Sequence, residues 1–176
     1  MAQDLITIIS FGEFDQDFLG QIAKRVTEEY GHPVAIRYGL VDLSEFFDPA
    51  RRQYNGNLLL KVVDNSFSEE SLKTFGLFSV DLFIPILTYI FGLAFLNGKS
   101  GIASVYRLSN ARYGLPEDRN LLLERSQKEV LHELGHTFGL IHCHTPACVM
   151  ASSTYVEDID QKERYLCPQC RSHLSL

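Results

Sequence analysis

The apolar positions in the first half of the chain switch between two rhythms. Residues 5–11 (LITIISF) form a short continuous apolar run ending at Gly12, which suits a buried strand. Directly afterwards Phe14, Phe18, Ile22 and Val26 recur at helical spacing, and Gly31 supplies a stop. Residues 33–43 (PVAIRYGLVDL) return to a strand pattern, a polar stretch follows, and the segment near GNLLLKVVDN is compatible with a helix. A third apolar strand is expected around residues 80–86. Two β-rich runs in TYIFGLAFLNGKSGIASVYRLS then flank NGKSG, where Asn97, Gly98 and Gly101 are expected to supply the positive φ angles of a hairpin. Strand–helix–strand order with right-handed crossovers gives a mostly parallel twisted sheet, to which the hairpin adds one antiparallel strand at an edge.

From about residue 120 the pattern becomes a single helix, NLLLERSQKEVLHELGHTFG, expected over about 120–138. At 100° per residue from His132, the residues Leu123, Val130, Leu131, Leu134 and Phe138 fall between about 160° and 260° and form a core face. His136 falls at about 40° and Glu133 at about 100°, so both lie with His132 away from that face.

Composition narrows the class. A chain of 176 residues, 45% hydrophobic and 22% charged, fits one soluble globular domain. The net charge of -6 argues against a general nucleic-acid binder, which needs surplus Lys and Arg. Residues 76–96 are apolar over the length of a bilayer span, yet Asp81, Pro85 and the β-branched and aromatic content fit two buried strands joined by a tight turn, so no membrane span is expected. Asp4 stands where a secretory signal carries basic residues, which points to a cytoplasmic protein. In that compartment cysteines are more often metal ligands than disulfides.

The candidate chemistry gathers in residues 132–150, HELGHTFGLIHCHTPACVM, which hold four of the 6 histidines, two of the 4 cysteines and the only methionine after Met1. His132 and His136, four residues apart on one helix, can direct two imidazole nitrogens at one ion. On a continuous helix His142 would be rotated by about 240° from His136 and could not join them. Gly139 can end the helix in the left-handed conformation and turn the chain so that His142 returns. Three protein ligands leave a fourth position of tetrahedral zinc for water, and Glu133 is placed to accept a proton from it.

The stretch HELGHTFGLIH matches HExxHxxGxxH, the signature of the metzincin clan of zinc proteases. With Cys143, Cys148, Met150 and the later CPQC at Cys167 and Cys170, the chain resembles the archaemetzincin family over residues 132–170. The resemblance implies that His132, His136 and His142 bind catalytic zinc, that Glu133 is the general base, and that Met150 forms the Met-turn beneath the metal. It also implies an edge strand that pairs with extended substrate, which fits residues 89–95 and places Phe91, Gly92, Leu93 and Ala94 against the peptide. Some metzincins carry a tyrosine two residues after the Met-turn, where this chain has Ser152; Tyr155 is the nearest tyrosine.

Cys143, Cys148, Cys167 and Cys170 form two pairs with four and two intervening residues, spacing that suits a closed Cys₄ zinc site. Two disulfides or a redox CxxC are the alternatives, and His144 and His173 read as surface histidines. The expectation is an α/β (α+β) zincin-like metzincin fold: a mixed twisted sheet with one antiparallel edge strand, an active-site helix, and a small C-terminal zinc-bound subdomain. Residues 1–139 would form the N-terminal subdomain and residues 140–176 the C-terminal one. The expected function is a monomeric zinc metallopeptidase with two Zn²⁺ per chain, one catalytic and one structural, acting on short or restricted peptides. The rival reading is a zinc-stabilised module that grips peptides or protein termini without cleaving them. A zinc-ribbon nucleic-acid binder fits the acidic charge poorly.

Overall fold

A computed structural model describes residues 4–68 and 70–174. In chain order the elements are β1 (Ile6–Phe11), α1 (Gln16–Tyr30), β2 (Val34–Tyr38), β3 (Phe47–Asp48), β4 (Gln53–Asn55), α2 (Gly56–Phe67), β5 (Lys73–Phe78), β6 (Leu82–Phe83), β7 (Gly92–Ala94), β8 (Ser100–Ser104), α3 (Arg119–Thr137), α4 (Val156–Gln161) and α5 (Pro168–His173). Five strands form one sheet in the order β2-β1-β5-β8-β7; every pair is parallel except β7 with β8. The three short strands β3, β4 and β6 form a second, smaller sheet.

Both faces of the main sheet are covered, which is why β1 is buried along its whole length. Alternation along β1 decides which layer covers which side. Ile6 and Ile8 pack with residues of α1 and α3, whereas Ile9 and Phe11 pack with Leu59, Leu60 and Val63 of α2. Helix α1 is capped by Asp15, whose side chain accepts from the Asp17 N–H, and ends at Gly31 with φ 74°. The C-terminal region packs on the α1–α3 layer. There the buried Glu29 carboxylate accepts from the Leu166 N–H at 2.8 Å and from Arg171 at 2.5 Å, and it also pairs with Arg25.

The third strand of the sheet is Lys73–Phe78 and not residues 80–86, which hold only the two-residue β6. Asp81 interrupts that run because its carboxylate is tied to Arg107 at 2.6 and 2.8 Å, and Pro85 has no N–H to donate to a ladder. Strand β2 stops at Tyr38, short of residue 43; the Gly39 N–H makes a last bond to Ser10 O, and Gly39 packs directly against the Phe11 ring. In the β7–β8 hairpin only Asn97 takes positive φ, at 51°. Gly98 and Gly101 are small for another reason: a Cβ at Gly98 would meet Phe95 O at 2.9 Å, and one at Gly101 would press on the Phe75 ring at 3.2 Å.

Helix α3 runs beside β7 and β8 and is buried on nearly every side from Arg125 to Gly135, polar residues included. Leu123, Val130, Leu131 and Leu134 lie in the core as expected, and the face with His132 and Glu133 is buried as well because the C-terminal region covers it. No helix among the described residues is long and apolar enough to cross a membrane.

Candidate active site and metal centres

The end of α3 shows how three histidines meet. Phe138 N–H donates to Leu134 O, Gly139 N–H to His136 O and Leu140 N–H to Gly135 O, closing the helix over a Gly139 with φ 91°. The chain then doubles back, and ligand atoms of His132, His136 and His142 all lie within 4.8 Å of one another. His132 Nε2 and His136 Nε2 are 3.1 Å apart. The other ring nitrogens are engaged: His132 Nδ1 donates to Val149 O at 2.8 Å, and His136 Nδ1 to Leu140 O at 2.7 Å. A carbonyl oxygen only accepts, so these contacts place the proton on Nδ1 and leave each Nε2 lone pair facing the cluster. Burial pushes His132 well below the usual histidine range, with the Lys162 charge adding to it, and burial also lowers His136 and His142. Three neutral imidazoles converging in this way fit a zinc ion bound by three histidines.

Beside the histidines lies a cavity of about 460 Å³. Its walls are residues 87–92 and residues 152–155, and Glu129, His132, Glu133, His142 and Lys162 also line it. Glu133 is 6% exposed and Glu129, one helical turn earlier, is 4% exposed. Burial pushes the Glu133 carboxyl well above the usual carboxylate range, the neighbouring Glu129 raises it further, and Lys162 pulls it back. Glu129 is likewise raised by burial. Lys162 is itself buried, lowered by desolvation, and donates to Ala151 O at 2.9 Å. Sequence reasoning did not single out Glu129 or Lys162. The i–4 spacing of Glu129 from Glu133 was a usable signal; for Lys162 there was none.

Of the four edge residues singled out in the sequence, Phe91 and Gly92 line the cavity. Leu93 packs toward the α2 side, and Ala94 pairs with Gly101 farther along the edge. Gly92 has a specific reason to lack a side chain: a Cβ there would lie 2.6 Å from Glu133 Cγ and 2.8 Å from Ile102 O. Gly92→Ala is expected to lower hydrolysis and to cost about 1–3 kcal/mol of stability, since both the strand backbone and Glu133 must shift. Thermal unfolding and initial rates on one peptide measure the two effects together.

Cys143, Cys148, Cys167 and Cys170 also bring their sulfurs within 4.8 Å of one another, and all four are free thiols. Backbone N–H groups point at them: Thr145 to Cys143 at 3.4 Å, Cys167 to Cys148 at 3.3 Å and Cys170 to Cys167 at 3.5 Å. The Cys170 N–H holds the Cys167 thiol down to about 7, while burial raises Cys148 and Cys170. Four converging sulfurs, three of them facing an N–H donor, fit a closed tetrahedral zinc site. His144 and His173 are exposed. Met150 is fully buried, and a side chain on Gly135 would run into its sulfur, so Met150 lies directly under the HELGH turn of α3.

A family model described as peptidase family M54 matches residues 44–175. An archaemetzincin of Thermococcus kodakarensis is 36% identical over 97% of this chain and 95% of its own length. The crystal structure of archaemetzincin from Methanopyrus kandleri superposes with a TM-score of 0.85 at 30% identity, covering 98% of this chain and 94% of that one. A zinc-dependent peptidase from Methanocorpusculum labreanum superposes with a TM-score of 0.84 at 28% identity, covering 97% of this chain and 100% of its own.

Proposed function

The chain belongs to the archaemetzincins, peptidase family M54, and is a zinc metallopeptidase, and we propose that it hydrolyses restricted peptide substrates with Glu133 as general base. The observation that carries this reading is the convergence of three neutral imidazoles beside a buried carboxyl in one cavity. His132, His136 and His142 would hold the catalytic zinc, the first two through Nε2. When bound, zinc lowers the pKa of its water to about 7 and polarises the scissile carbonyl. Glu133 would accept a proton from the water that the metal activates and pass it to the leaving amine. Gly92 lets the edge of β7 approach Glu133 closely, so substrate backbone can pair with the free side of the strand. Met150 supports the helix turn from below, as a metzincin Met-turn does.

A second, structural zinc would be held by Cys143, Cys148, Cys167 and Cys170. Residues 1–139 then act as the upper subdomain and residues 140–176 as the lower one, with the catalytic centre at their junction. All site residues come from one chain, which supports action as a monomer, and thiolate ligands suit the reducing cytoplasm. Two zinc ions per chain are expected by elemental analysis. Chelation is expected to abolish hydrolysis, and zinc to restore it; one zinc per chain, or hydrolysis that survives removal of the metal, contradicts the assignment.

A further inference from the structure

One contact across the cavity is not used by the proposed mechanism. The Tyr89 hydroxyl donates to Thr154 O at 2.7 Å, joining segments 65 residues apart in sequence. Tyr89 belongs to one wall of the cavity and Thr154 to the other, so the two walls meet at this bond. The cavity reaches this point from His132 and His142.

Both ends of the bond are fixed. The Arg107 guanidinium lies over the Tyr89 ring, 4.1 Å from its centroid, and is itself held by both Asp81 oxygens. The Phe91 ring meets Tyr89 edge-on at 5.5 Å. Upstream, Arg51 donates to Pro85 O and Leu87 O at 3.1 and 2.9 Å, which anchors the approach of that wall. On the opposite side the Thr154 and Tyr155 N–H groups both donate to the Asp158 carboxylate at 2.8 Å. Burial raises Tyr89 above the ordinary phenol value, so its hydroxyl keeps the proton that makes the bond. In that same wall Ser153 holds a buried Oγ without a hydrogen-bond partner among the described residues.

We propose that the Tyr89–Thr154 bridge closes one end of the substrate cleft and restricts this peptidase to chains that terminate inside the cavity. An extended polypeptide lying along β7 can enter from the open side. To leave past residues 89 and 154 it must break a hydrogen bond and displace a ring stacked on an ion-paired arginine. The substrate class is therefore a peptide cut near one end, whose final residues fill the cavity. This inference rests on the peptidase reading given above.

The test uses peptides of one core sequence lengthened stepwise, and then blocked, at the amino end in one series and at the carboxyl end in the other. Binding to zinc-loaded Glu133→Gln protein is followed by fluorescence anisotropy, and the positions cut by the parent enzyme by mass spectrometry. Lengthening at one end only is expected to weaken binding about tenfold or more, equivalent to about 1.4 kcal/mol. The affected series identifies which terminus is read. Tyr89→Phe, which keeps the ring over Arg107 and loses only the bond, and Tyr89→Ala, which removes the strap, are expected to relieve that discrimination in increasing order. Equal tolerance of both extensions by the parent overturns the proposal, as does unchanged discrimination in both variants or the absence of any peptide binding. If peptides bind with the expected length dependence and none is cut, the peptidase reading fails and the strap stands.

Discussion

Glu133→Gln is expected to purify with its full zinc content and to hydrolyse peptides about 10²–10⁴-fold more slowly than the parent, the range by which a positioned acid–base group contributes. The substitution preserves size and hydrogen-bonding capacity, so α3 keeps its packing. It removes only the ability to hold a transferred proton. Glu133 is not a ligand in the three-histidine cluster, so metal content should not change. Its surroundings leave no easy substitute: Glu129 sits one turn earlier, and Lys162 is already engaged with Ala151 O. Elemental analysis and initial rates on the same preparation decide the matter. Loss of zinc in step with loss of rate would make Glu133 a structural residue, and an undiminished rate would remove it from the mechanism.

The convergence of the three histidines was legible in the sequence because it follows from local geometry. His132 and His136 stand four positions apart on one helix, and Gly139 at φ 91° performs the turn that brings His142 back. Strand β1, helix α1 with its Gly31 stop, and the antiparallel edge were legible for the same reason: each is a short-range pattern. What was not legible depends on residues far apart in the chain. Asp81 breaks a strand-like run through its pairing with Arg107, 26 residues later. Helical azimuth set the second face of α3 apart from the core but did not show what covers it, which is Lys162 and the C-terminal loop. The Tyr89–Thr154 bond spans 65 residues and has no periodicity to announce it.

Cys167→Ser is expected to release one zinc and also to weaken zinc at the three histidines by about 10–100-fold, the effect seen when groups that orient metal ligands are lost. The two centres share backbone. Cys143 follows His142 directly, and its N–H donates to Met150 O at 2.9 Å, which holds the loop closed over the methionine. Val149, between Cys148 and Met150, supplies the carbonyl that orients His132 through Nδ1 and in turn donates its N–H to Tyr165 O at 3.1 Å. Residues 140–174 contain only the two six-residue helices α4 and α5, too little core to hold this arrangement without a staple. A protonated or oxidised Cys167 would free the loop, and with it the carbonyl at Val149 and the backbone before His142. The measurement is a competitive chelator titration of parent and variant, with the released zinc counted per chain. A variant that loses one zinc while its remaining site competes as strongly as in the parent would show that the centres are independent, whatever their adjacency in the chain.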